Sequence, residues 1–264
     1  TNFMKLELMQ RHEDVFDKLL QPEDQTVVHF VSHEWLGFQH PDPDGTQLKR
    51  LQTVLAAFIA GQARSMLKAA DWEAFLMGIS AGTAQDFRKF ETQIADRDVR
   101  SEEDIAEHVR AGVVWLDYHS IPQTKKDDVF LKAVNGIPLY VERCDYFWIC
   151  APTATHKELQ QPRSFQTWRS RGWCRLEDTI NMLSQNLKMP LIVTNQKHVS
   201  TYGLFDGAHP YFGRPERSVF NGHFTCCQRN HQILQADGSI LHIDCDKTAL
   251  VPMLRRSFYK QLSK

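Results

Sequence analysis

Over residues 5–20, KLELMQRHEDVFDKLL, apolar residues recur at helical spacing, and Gln21-Pro22-Glu23-Asp24 ends the run. From Thr26 to Ser32 the pattern changes to an almost unbroken apolar, β-rich run, TVVHFVS. Such a run predicts a strand buried on both faces. Helical spacing returns over 46–69, with Leu48, Leu51, Leu55 and Phe58 along one face. Further helical sequence, rich in Ala, Glu, Asp and Arg and broken near Gly78 to Gly82, continues to about Val109. Three more apolar runs read as strands: Gly112 to Tyr118, Asp145 to Cys150, and Pro190 to Thr194. Helices are expected near 127–142 and from Trp173 to about Leu187. Residues 196–236 show no clear period. Ser239 to Ile243 reads as a fifth strand, and 248–262 as a final helix.

Strands that alternate with helices predict a parallel sheet with both faces covered. The expected fold is therefore α/β: a flavodoxin-like three-layer sandwich with a central parallel sheet of about five strands. A helical insertion, at about 65–110, follows the first strand. Residues 1–25 are expected to form an N-terminal helix. The α/β domain then fills 26–264, with an irregular elaboration at about 196–247.

Composition narrows the function classes. With 31 Lys plus Arg against 32 Asp plus Glu, the chain is close to neutral. That gives no global attraction to nucleic acid or an anionic membrane. The pairs Lys49-Arg50 and Lys125-Lys126 are too short to mark a nucleic-acid surface. No apolar run is long enough to span a bilayer. Thr1 to Lys5 lack the basic flank and apolar core of a signal peptide, and a start at Thr1 leads us to expect sequence upstream. The six cysteines fit reduced, partly buried thiols, so a cytoplasmic location is expected. No GxGxxG or Walker A sequence is present, which disfavours dinucleotide dehydrogenases and P-loop NTPases.

In a parallel α/β sheet the ligand crevice lies beyond the C-terminal ends of the strands. The unusual residues of this chain collect at those ends. Ser32, His33 and Trp35 follow the first strand, Asp117, Tyr118 and Ser120 the second, and Ala151 the third; Trp173 to Glu177 open the next helix.

These segments resemble a Toll/interleukin-receptor (TIR) domain. Phe30-Val31-Ser32-His33 is similar to the end of that family's first strand. Trp115-Leu116-Asp117 with Ser120-Ile121-Pro122 is similar to its second strand and following loop. Ser170-Arg171-Gly172-Trp173-Cys174-Arg175-Leu176-Glu177 carries its Trp-Cys-x-x-Glu helix start. The match covers 26–33 and 112–195. The segment between is longer than in the family, and the C-terminal region matches poorly, which fits a divergent member.

The resemblance implies an NAD glycohydrolase or cyclase in signalling or defence. NAD is the substrate, no cofactor is needed, and self-association is expected. Glu177 takes the place of the family's catalytic carboxylate. Breaking an N-glycosidic bond builds oxocarbenium character on the ribose, and a carboxylate beside it offsets that charge. Placed in the first helical turn, Glu177 is expected to stay ionised; an ordinary capping role is the competing reading. Trp35, Tyr118 and Trp173 are candidates to stack on a base, or to pack the core. Ser32, His33 and Ser120 are candidates for phosphate or ribose contacts, or for turn capping. Asp117 is a candidate ribose ligand, and Arg171 and Arg175 candidate phosphate ligands.

Two other functions remain open: a non-catalytic TIR-like scaffold acting through the loop near Ser120 to Lys126, and a nucleoside or nucleotide N-glycosidase pairing Glu177 with Asp117. Cys174 at a helix start is a weaker nucleophile candidate. Cys226, Cys227, His231, His242 and Cys245 are metal-ligand types, but adjacent cysteines lack the usual two-residue gap and no metal is expected.

Overall fold

A computed structural model describes residues 2–19, 25–77, 101–123, 128–184, 188–202, 218–234 and 237–263. Four parallel strands form its centre: β1 (Val28–His33), β2 (Val113–Trp115), β3 (Tyr146–Cys150) and β6 (Leu191–Val193), in the order β2-β1-β3-β6. Register is set by pairs such as Phe30 with Trp115 and His33 with Cys150. The chain steps from β1 to β2 on one side, then crosses to β3 on the other. This is the flavodoxin-like order, whose ligand crevice opens between β1 and β3.

Side-chain alternation explains why both faces are covered. Val31, Tyr146, Trp148, Cys150, Leu191 and Val193 point into one core. It is closed by α2 (Thr46–Ile59), α3 (Ala63–Met66), α4 (Ala69–Met77) and α5 (Glu102–Ala111). Phe30, Phe147, Ile149 and Ile192 point the other way. Their core is closed by α8 (Ile137–Arg143), α10 (Gly172–Leu183) and α12 (Asp246–Leu262). The expected face of α2 is the buried one: Leu48, Leu51 and Phe58 are fully enclosed. Gly45 (φ 69°) turns the chain into this helix, and Asp42 accepts the Leu48 N–H at 2.8 Å.

Shorter elements complete the chain: α1 (His12–Val15), α6 (Asp117–Ser120), α7 (Asp128–Asn135), α9 (Phe165–Trp168) and α11 (Thr225–Gln228). Two antiparallel ladders join β4 (Ala154–Thr155) to β5 (Pro162–Arg163), and β7 (Gln232–Leu234) to β8 (Ile240–His242).

Three expectations change. The N-terminal helix is replaced by α1 between two 3-10 turns, Phe3–Lys5 and Phe16–Lys18. The helix expected over 127–142 is divided at Gly136 into α7 and α8. Ser239 to Ile243 does not extend the central sheet but supplies β8 of a separate hairpin. Of the helical insertion, α3, α4 and most of α5 are seen; 78–100 lie outside the described residues, as does 203–217 of the C-terminal elaboration. Lys125 and Lys126 are also outside them. Among the described residues no helix is long and apolar enough to cross a membrane.

Candidate functional site

A cleft of about 980 Å³ opens at the C-terminal ends of the strands, at the β1/β3 switch point. That volume suits a cofactor-sized ligand, for which roughly 300–1,000 Å³ is usual. His33, Glu34 and Trp35 reach it from the end of β1, and Asp117 from the start of α6. Trp173, Cys174 and Glu177 reach it from the first turns of α10.

Glu177 is buried, 9% exposed, and its Oε2 accepts a 2.5 Å hydrogen bond from Ser32 Oγ. Ser32 Oγ in turn accepts the indole N–H of Trp168 at 3.0 Å. An indole N–H can only donate, so the Ser32 hydroxyl is left to donate onward to the carboxylate. Burial pushes the Glu177 carboxyl up to about 8; Asp117 adds to this, while Ser32 and His33 oppose it. The expectation that a helix start keeps this group ionised is therefore corrected: desolvation outweighs the helix end, and near pH 7 the proton stays on.

A charged pair stands beside it. His33 Nε2 donates to Asp117 Oδ1 at 2.9 Å, and its Nδ1 lies 2.8 Å from Gln47 Oε1. The Gln47 amide N–H₂ donates to the Glu34 carbonyl at 2.8 Å, which turns its oxygen toward the imidazole. Both ring nitrogens therefore face acceptors, as an imidazolium requires. Burial alone would lower the His33 pKa, but the charge and hydrogen bond of Asp117, with help from Gln47, raise it to about 9. For Asp117 burial works upward, and His33 outweighs it and holds the carboxyl below its usual range. The other Asp117 oxygen accepts the Trp35 indole N–H at 2.8 Å.

The remaining predicted site residues divide. Trp35 and Trp173 both border the cleft. Trp173 donates its indole N–H to Asp246, also on the cleft lining, at 2.9 Å. Ser32 lies one layer behind the cleft, where it positions Glu177. Tyr118 also falls behind the wall. It is buried against Trp35, with ring centres 5.6 Å apart, and against His40. Ser120 is half-buried, its Oγ accepting the Leu116 N–H at 3.4 Å, a capping contact. Arg175 is buried away from the cleft and donates to the carbonyls of Arg169 and Ser218. Tyr118, Ser120 and Arg175 are thus structural rather than wall residues. The Cys174 thiol is pushed well above its usual range, first by burial and then by Glu177 and Glu34, which opposes the thiolate a nucleophile needs.

Sequence reasoning missed several participants. Glu34, also on the cleft wall, sits 3.2 Å from Arg163 and 3.8 Å from Arg171. Arg229 borders the cleft with its guanidinium stacked 3.3 Å from the centre of the Phe38 ring. Trp168 lies between the strand ending at Cys150 and the helix opening at Trp173, in a polar stretch where a lone Trp is the available signal. Gln47 carried none, being one polar residue beside the apolar stripe of α2.

No protein-family model, curated protein or solved structure matches the chain.

Proposed function

We propose that this chain is a divergent TIR-like enzyme that cleaves the nicotinamide–ribose bond of NAD. The observation that carries the reading is the Glu177 carboxyl, delivered by the Trp-Cys-x-x-Glu turn to the switch-point cleft and held there by Ser32. Three arginines, Arg163, Arg171 and Arg229, border the same cleft and suit a diphosphate. Trp35 and Trp173 offer aromatic surface for a base.

In this reading the C–N bond breaks and its electron pair leaves with neutral nicotinamide. Glu177 offsets the positive charge left on the ribosyl carbon. Water then adds there, giving ADP-ribose and a proton; addition of an adenine nitrogen of the same molecule gives a cyclised product instead. The nicotinamide ribosyl group of NAD carries a positive charge. In the cleft it would draw the Glu177 proton off and bring the carboxylate into its working form. The same reading places the protein in the cytoplasm, in a signalling or defence role that involves self-association.

One observation favours a second reading. A protonated Glu177 beside an ionised Asp117 is the arrangement of a general acid with a charged partner. Bases that leave poorly without protonation would use it, as in a nucleoside or nucleotide N-glycosidase. Incubating concentrated protein with NAD, and in parallel with purine and pyrimidine nucleosides, separates the two by which base is released. Release from neither substrate leaves the scaffold role.

A further inference from the structure

Beside the cleft, four thiol and imidazole side chains converge that the proposed chemistry does not use: Cys226, Cys227, His231 and Cys245. Cys226 and Cys227 come from α11, His231 from the turn after it, and Cys245 from the residue preceding α12. Their donor atoms all lie within 4.8 Å of one another. Cys227 Sγ lies 3.9 Å from Cys226 Sγ, 3.7 Å from Cys245 Sγ and 3.6 Å from His231 Nε2. A tetrahedral zinc with Zn–S of about 2.3 Å and Zn–N of about 2.0–2.1 Å has S–S edges of about 3.8 Å and S–N edges of about 3.6 Å. The three separations match those edges. A disulfide needs about 2.05 Å between sulfurs, and all six cysteines are free.

The local backbone is bent to make this meeting possible. Asn230 (φ 50°) and His231 (φ 57°) are consecutive non-glycine residues in the left-handed region. Non-glycine residues keep this conformation only where the surrounding structure holds them. The turn brings the His231 N–H to the Cys226 carbonyl at 2.7 Å and returns the imidazole over Cys227. The Asp246 N–H, at the start of α12, points at Cys226 Sγ from 3.4 Å, a donor suited to a metal-bound thiolate. The hairpin that follows needs a fastening. Its strands are three residues long, and β8 is exposed along its whole length. A two-stranded hairpin alone is marginal in water.

We propose that Cys226, Cys227, His231 Nε2 and Cys245 form a closed, structural Cys₃His zinc site. It ties α11, the β7–β8 hairpin and the start of α12 into one unit. Four protein ligands leave no open position, so the ion has no catalytic role. Asp246, the residue after the ligand Cys245, holds Trp173, and Ile233, Leu241 and Ile243 border the cleft. The zinc therefore fixes one wall of the cleft, whatever that cleft binds.

The test is metal content of the full chain purified without chelator. One zinc per chain is expected by elemental analysis. A mercurial thiol reagent should release it as three thiols react. Cobalt(II) replacing it should give the visible absorption of a tetrahedral thiolate site. Cys245→Ser and His231→Ala should each lower zinc to well under one per chain, while His231→Cys, which rebuilds a four-ligand site, should keep it. If the serine and alanine variants fail to fold, native mass spectrometry of the unmodified chain with and without chelator decides the stoichiometry. A wild-type chain free of zinc, one holding iron or copper instead, a Cys227–Cys245 disulfide, or full zinc retained in Cys245→Ser would each overturn the proposal.

Discussion

Ser32 Oγ donates a 2.5 Å hydrogen bond to Glu177 Oε2, joining the C-terminal end of a buried strand to the second turn of a helix 145 residues further on. The bond puts a carboxyl where burial opposes its charge, and the pKa of about 8 follows. Removing the hydroxyl by Ser32→Ala takes away the donor that favours the ionised form. The Glu177 pKa should rise further, and any cleavage should lose rate mainly through kcat, by about tenfold. Rates measured with the alanine variant across pH check this.

Glu177 should also mark the pH dependence of folding. Its folded pKa of about 8 lies above its ordinary value of 4.5, so the folded state holds the proton longer than the unfolded chain. The contribution to stability is complete below about 4.5 and is lost as pH rises through about 8. Glu177→Gln keeps an acceptor for Ser32 and removes the charge. It should stabilise the fold by about 2 kcal/mol at pH 9 and change little at pH 4. Denaturant melts at the two pH values give the comparison, and equal effects at both would contradict the burial argument.

The His33–Asp117 pair is vulnerable in the same direction, toward high pH. His33 is raised to about 9 by its partner, so the stability it contributes is complete below its ordinary 6.5 and is lost as pH climbs through about 9. Asp117→Asn leaves a buried imidazole without its counter-charge. The His33 pKa should fall below its ordinary value, and the fold should lose about 3 kcal/mol near neutral pH. Titration of the imidazole by NMR reads the first effect, and chemical denaturation the second.

Gly172 opens the helix that carries Glu177. A Cβ there would overlap the Phe224 ring, and one on Gly222 would stand 2.6 Å from Gly172 Cα. Gly172→Ala should therefore push α10 away from the 222–224 segment and destabilise the fold by about 1–3 kcal/mol. It should also loosen the Ser32–Glu177 contact. A thermal melt with unchanged midpoint would show that the close approach is relaxed at no cost.

How much of this was legible in the sequence depends on the kind of signal. The strand runs around Phe30, Trp148 and Ile192 were legible because a strand covered on both faces must be apolar at every position. The stripe of Leu48, Leu51, Leu55 and Phe58 was legible from helical period alone. The strand-end residues Ser32, His33 and Asp117 stood out because polar groups followed apolar runs, and Glu177 stood out through the Trp-Cys-x-x-Glu resemblance. Their division into wall and support was not legible, since it depends on side-chain direction. Tyr118 and Ser120 share a single helical turn with Asp117, yet Tyr118 is buried and the Ser120 hydroxyl accepts the Leu116 N–H. Trp168 and Gln47 act through contacts 136 and 14 residues away in sequence, which no local pattern encodes. The segment around Ile240 and Leu241 has the composition of a buried strand, but both side chains are exposed in a hairpin. Adjacency of Cys226 and Cys227 hid their shared environment, because a ligand set gathered from one helix, the turn after it and the residue before α12 obeys no fixed spacing.

The central claim is tested most directly by nicotinamide release from NAD, followed with concentrated wild-type protein and with Glu177→Ala at pH 8. The account predicts release by the wild type, with kcat/KM rising as pH passes through about 8, and loss of at least 100-fold in the alanine variant. Equal release by both proteins, or no release by the wild type under self-associating conditions, would contradict it.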